Sequence, residues 1–154
     1  MIYFAYGSNI DQKQMGSRCP GAQLTGIAQL AGYRLCFPRR SSVRDSAILS
    51  IEPFEGTTVW GVTYEMSSDD LRRLDHREGY DAGRPPVQNS ATRIPVKVSR
   101  LRGETVEAYT YVVAPQPKPG LPSTNYLKLI INAAAVHGFP EDYLSALRAV
   151  PATP

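Results

Sequence analysis

The sequence predicts an α+β fold built on a curled mixed sheet or small barrel, and three observations lead there. Strand-like segments fill the first two thirds of the chain. Two helical segments close it. The βαβ repetition that a parallel, doubly wound sheet requires is missing, which argues against a dinucleotide-binding architecture. No internal repeat or shift in composition marks a second unit, so residues 1–154 read as one domain.

Residues 2–6 are β-branched and aromatic and read as a buried strand, broken by Gly7-Ser8-Asn9. Asp11 stands where an N-cap belongs, before a short helix to about Arg18 that stops at Cys19-Pro20-Gly21. Residues 22–38 are strand-like, with Gly26 and Gly32 expected as bulges or bends. Two separate strands are expected at residues 47–52 and 59–65. Residues 67–77 form the clearest helix of the first half. Ser67 or Ser68 caps it, Asp69 and Asp70 suit its positive end, Leu71 and Leu74 supply an apolar stripe, and Gly79 ends it. Residues 80–90, with Gly83 and Pro85-Pro86, are a loop; residues 92–101 and 105–114 form a hairpin. The proline-rich run 115–122 is a stiff connector or a wall beside a site. Ser123 caps a helix to about His137 with Leu127, Ile130, Ile131 and Ala134 on one face, and Gly138 closes it. Pro140 is expected at the first position of a last helix carrying Tyr143, Leu144 and Leu147.

Composition narrows the function. Hydrophobic residues at 42% and charged residues at 20% are ordinary for a globular protein. The net charge of +3 comes from scattered arginines rather than a block, a solvated pattern that weakly favours small anionic substrates. Without a recognised binding module it gives no reason to expect nucleic acid. No run approaches the ~20 apolar residues of a membrane span, and residues 2–6 lack a basic leader, so neither membrane nor secretory signal is expected. Cys19 and Cys36 have no CxxC spacing and no nearby His. They read as free thiols in a reducing cytoplasm, with no structural metal site and no cofactor expected.

Three features bear on chemistry. Tyr6-Gly7-Ser8-Asn9 puts a glycine, a hydroxyl and a carboxamide at the carboxyl end of a buried strand. Glycine permits positive φ and the close approach of a ligand, and successive backbone N–H groups there can form a nest for a carboxylate, the alternative being a plain turn before a helix. Ser8 lacks the flanking glycines of a nucleophile elbow, and His76 and His137, the only histidines, sit at helix ends. Glu78 falls at the last helical position, where the helix dipole opposes a carboxylate and raises its pKa, as suits a general base. An ordinary exposed glutamate in a charged tract is the alternative. Tyr126 opens the long helix beside the proline connector and reads as either a core residue or a pocket wall.

Four blocks in order then resemble the γ-glutamylcyclotransferase family, also called AIG2-like. They are Tyr3 to Asn9, Leu74-Asp75-His76-Arg77-Glu78-Gly79, Pro122-Ser123-Thr124-Asn125-Tyr126, and Gly138-Phe139-Pro140-Glu141-Asp142-Tyr143-Leu144. The resemblance implies a small mixed β-barrel flanked by helices and conversion of γ-glutamyl amino acids to 5-oxoproline and a free amino acid. By position it implies Glu78 as general acid/base, and Tyr3, Tyr6, Gly7, Ser8, Asn9 and Tyr126 around the substrate. The implied partner is a small γ-glutamyl conjugate, with a homodimer left open. The loop after Glu78 is longer than in compact members and Ala91-Thr92 lacks an aromatic, which leaves the leaving-group side and a lid role for residues 80–90 undetermined. Alternatives are a relative specific for γ-glutamyl amines and a non-catalytic binding protein using the same pocket. The loop resembles glutathione-specific relatives less closely.

Overall fold

The structure, a computed structural model, describes residues 1–154. Its five strands are β1 (Ile2–Ala5), β2 (Gln23–Ser41), β3 (Ser46–Glu65), β4 (Ala91–Arg100) and β5 (Thr105–Val113). They close into a barrel in the order β1-β3-β2-β4-β5. All neighbours are antiparallel except β1 and β5, which meet in parallel at Tyr3 and Tyr109, so the barrel is mixed as expected. The helices are α1 (Gln12–Arg18), α2 (Ser68–Glu78), α3 (Thr124–His137) and α4 (Glu141–Arg148).

The long hairpin of β2 and β3 is the largest departure from expectation. Residues 47–52 and 59–65 are parts of one 20-residue strand rather than two strands. Laid straight, that strand would span roughly 66 Å, far more than a small barrel needs, so it has to curl. Positive-φ glycines supply the bends: Gly26 and Gly32 in β2, Gly56 in β3. The pairing slips at Leu24/Gly26 and Ala31/Tyr33, so the two expected bulges exist. β2 also runs on through Pro38 to Ser41, with a third slip between Cys36 and Arg39 that lets the proline escape a ladder bond.

The capping expectations hold locally. The side chains of Asp11, Ser67 and Ser123 accept from the N–H groups of Gln14, Asp70 and Tyr126. Gly79 ends α2 in the left-handed region at φ 75°, and a Cβ there would lie 2.9 Å from the Cβ of Ser90. Pro140 sits one residue earlier than expected, as the N-cap of α4. Gly61 lets β1 cross close to β3: a Cβ would strike the Ala5 carbonyl and stand 2.6 Å from the Phe4 ring.

One apolar cluster joins barrel and helices, drawing Phe4, Ile10, Met15, Val62, Leu74, Val98 and Ile130 together. Each such side chain contributes about 1.5–3 kcal/mol through burial. α3 buries Tyr126, Ile130, Ala133 and Ala134 against it, while Ile131 is only partly covered. No helix is long and apolar enough to cross a membrane.

Candidate active site

Strand alternation sends Tyr3 and Phe4 to opposite faces of β1, Phe4 into the core and Tyr3 into a cavity of about 750 Å³. The chain leaves β1 at Ala5, one residue earlier than expected, and Gly7 takes φ −105°. The positive φ that glycine permits is therefore not used at Gly7. Residues Ser8–Ile10 instead make a short 3₁₀ turn, whose opening N–H groups have no partner inside the turn. The donors expected of a nest are presented by a turn start.

Asn9 is the hub of that turn and is buried. Its Nδ2 donates to the Tyr3 hydroxyl at 3.0 Å and toward Glu78 Oε1 at 3.5 Å. Its Oδ1 accepts from Gln14 Nε2 at 3.1 Å and Arg18 Nη1 at 2.6 Å. Two donors on one side and two acceptors on the other fix which way the carboxamide points. The Asn9 carbonyl takes a further bond from the Tyr64 hydroxyl at 2.8 Å. Ser8 Oγ accepts from Gln14 Nε2 at 2.7 Å and Arg44 Nη2 at 3.3 Å, so it is held by cations and amides rather than by a base.

Glu78 is the last residue of α2 and the sole carboxylate lining the cavity. Removal from water pushes its carboxyl above the usual carboxylate range; Arg18, Arg77, the Asn9 bond and Arg44 act in the opposite direction without cancelling it. The negative end of α2 adds to the same upward push. A carboxylate so placed, with one long bond to a carboxamide, retains lone pairs for a proton.

The tyrosines are less free than their sequence positions suggest. The Tyr6 hydroxyl donates to the Tyr111 carbonyl at 2.5 Å, and the Tyr126 hydroxyl accepts from the Leu49 N–H at 2.9 Å. Burial pushes Tyr126 up to about 12, with the Leu49 bond and Arg44 pulling the other way. Burial, with Glu78 nearby, raises Tyr3 further. Each stays a neutral phenol near pH 7. Arg44 lies over the Tyr126 ring, 5.2 Å from its centroid.

The structure thus brings Tyr3, Tyr6, Gly7, Ser8, Asn9, Glu78 and Tyr126 to the wall of one cavity. Sequence reasoning missed Gln14, Arg18 and Arg44, which tie the turn to Glu78's surroundings, and Tyr111, which packs edge-on against Tyr3 and donates to Asp75 at 2.7 Å. Arg44 sits in the hairpin turn between β2 and β3, and only their pairing carries it across to Ser8. Among residues 80–90 only Ser90 lines the cavity. Buried Asn89 clasps the loop to Asp81 and Arg84, and Ser90 bonds the Gly79 carbonyl, so the loop braces the end of α2. The outer wall is the tip of the β2–β3 hairpin. No group of three or more His, Cys, Asp or Glu side chains is placed to hold a metal.

Known proteins share this chain's sequence pattern and its fold. The sequence model of the AIG2-like family matches residues 58–147. The γ-glutamylcyclotransferases of Homo sapiens and Mus musculus are 31% and 30% identical over 153 residues, 97% of this chain and 78% of each relative. A solved γ-glutamyl cyclotransferase structure superposes with a TM-score of 0.89 at 28% identity, covering 99% of this chain and 89% of that one.

Proposed function

The chain belongs to the AIG2-like, γ-glutamylcyclotransferase-like family, and on that premise we propose that it releases 5-oxoproline from γ-glutamyl conjugates. Residues 1–154 act as the single domain that does so, in a reducing compartment that suits the free Cys19 and Cys36. The observation that carries the reading is Glu78: the cavity's sole carboxylate, raised by burial, stands beside a turn whose opening N–H groups are unpaired within it.

The reaction asks little more. The α-nitrogen of the γ-glutamyl group attacks its own γ-carbonyl, the new C–N bond closes a five-membered ring, and the old amide C–N bond breaks. Because both reactants lie in one molecule, proximity is largely supplied by the substrate, an advantage on the order of 10⁵–10⁸ M in effective molarity. Glu78 takes one proton from the α-ammonium to free the attacking lone pair, and the ring nitrogen gives a second to water after attack. The departing nitrogen gains one from Glu78 as the C–N bond breaks and one from water, leaving as an ammonium, so protons balance. The Ser8–Asn9 turn binds the α-carboxylate through its N–H groups, with Arg18 and Arg44 adding positive charge behind it. Tyr3, Tyr6 and Tyr126 shape the walls that fold the glutamyl chain back on itself.

The test is release of 5-oxoproline from a panel of γ-glutamyl amino acids and amines, by wild type and by Glu78→Gln. Release by wild type alone, with the circular dichroism of the two proteins matching, supports the assignment. Undiminished release by the variant removes Glu78 from the mechanism. If no conjugate yields 5-oxoproline, a binding role for the same pocket replaces the enzymatic one.

A further inference from the structure

Five arginines line the cavity (Arg18, Arg39, Arg40, Arg44 and Arg77) against the single carboxylate of Glu78. Only Arg40 has an acidic partner, Asp45 at 2.7 Å. Elsewhere Arg34, Arg72, Arg93, Arg100 and Arg148 each meet a carboxylate, whereas Arg73, Arg84 and Arg102 do not, so five of eight are paired outside the cavity against one of five within it. The cavity therefore gathers cations that the fold leaves unpaired.

They fall into two groups. Arg18 and Arg44 are bonded to the Ser8–Asn9 turn and to Gln14, at the deep end. Arg39 makes one long contact, 3.5 Å to the Ala114 carbonyl, and Arg77 has no side-chain bond and is exposed. Arg77 lines the cavity from the exposed end of α2, and Arg39, half-buried, lines it from β2 two and three residues before Ser41 and Ser42. A γ-glutamyl group seated at Glu78 is walled in by buried Tyr3, Asn9 and Tyr126, so its leaving group extends toward the rim. The γ-glutamyl part carries one α-carboxylate and one α-ammonium and is neutral overall. It does not account for the unpaired charge at the mouth.

We propose that the rim selects leaving amines bearing two carboxylates, that is, acidic amino acids in γ-glutamyl linkage, with Arg39 and Arg77 as the specificity-determining residues. The inference rests on the cyclotransferase reading and names its substrate class. Guanidinium groups pair with carboxylates through two parallel N–H bonds, which favours a diacid over an amine of similar size. Exposed pairs are weak and screened by salt, so the preference is greatest at low ionic strength.

The experiment compares kcat/KM for γ-glutamylglutamate, γ-glutamylalanine and γ-glutamylethylamide at low and high salt. The expected order is acidic, neutral, amide, with about tenfold between the first two at low salt and less at high salt. In Arg39→Gln/Arg77→Gln that ratio collapses toward one, mainly through KM, whereas Arg72→Gln on the far side of α2 keeps it. Equal or faster turnover of γ-glutamylalanine, or a ratio untouched in the double variant, overturns the inference and leaves the cyclotransferase reading standing. Absence of 5-oxoproline from all three conjugates overturns both. Should the double variant misfold, the wild-type order and its salt dependence decide alone.

Discussion

Two carboxylates stand three residues apart on α2, and their surroundings differ in kind. Asp75 accepts from Arg93 Nη1 and from the Tyr111 hydroxyl, both at 2.7 Å, and Arg93 is itself sandwiched near the rings of Tyr80 and Tyr109. Glu78 faces open cavity with a carboxamide at 3.5 Å. The first is committed to holding α2 against β4 and β5. The second is half-buried at the cavity wall and kept short of partners. One turn of helix therefore carries both a brace and a reactive group, and partner count separates them where residue type does not.

The contrast is broken most directly at Glu78. Glu78→Gln is expected to lower 5-oxoproline release about 10²–10⁴-fold, the usual worth of a positioned acid or base, with the melting temperature unharmed. Asp75→Ala should reverse the pattern. Removing one partner of a largely buried pair strands Arg93 and the Tyr111 hydroxyl, and the loss is about 2–3 kcal/mol in urea denaturation, below the full cost of a wholly buried pair. Asn9→Ala lies between the two, since it frees Glu78 and also strands Tyr3, Gln14 and Arg18. About 1–3 kcal/mol of stability should go in the same assay, together with a reduced kcat.

The smallest effect comes through pH. Because Glu78's folded pKa is raised, the native state holds its proton more tightly than the unfolded chain does. Stability is then lost as pH rises from the ordinary carboxylate value through the raised one. Glu78→Gln removes that loss, so its melting temperature should exceed wild type at pH 8 and the gap should vanish near pH 4. A gap constant with pH would mean that burial does not perturb the group.

Local signals were read reliably because their causes are local. Ser67, Gly79 and Ser123 mark helix ends through contacts within a few residues, and the misfit of Glu78 beside Gly79 is visible without any fold. The β2–β3 hairpin was legible only in part. Pro53 and Gly56 are breakers by composition, yet β2 pairs with the chain on both sides of them and carries the strand through. The site's cations were invisible for the same reason. Arg44 reaches Ser8 across 36 residues and Arg93 reaches Asp75 across 18, contacts that no periodicity encodes. Gly7 invited a left-handed reading that the 3₁₀ turn does not use.

The parallel seam between β1 and β5 has a temporal consequence. Thr110 bonds the Phe4 carbonyl and Tyr6 bonds the Tyr111 carbonyl, each joining residues more than a hundred positions apart. Such closure carries a large loop entropy and comes late, so contact order sets when the pocket exists. β1 can pair with β3 once residues 62–65 exist, but its second edge waits for β5, an interval in which that edge is open to unproductive pairing. Glu78 and Asn9 approach each other only when β1 takes its place beside β3 and β5. Catalytic competence is thus a reporter of barrel closure, and partial folding yields helices without a site.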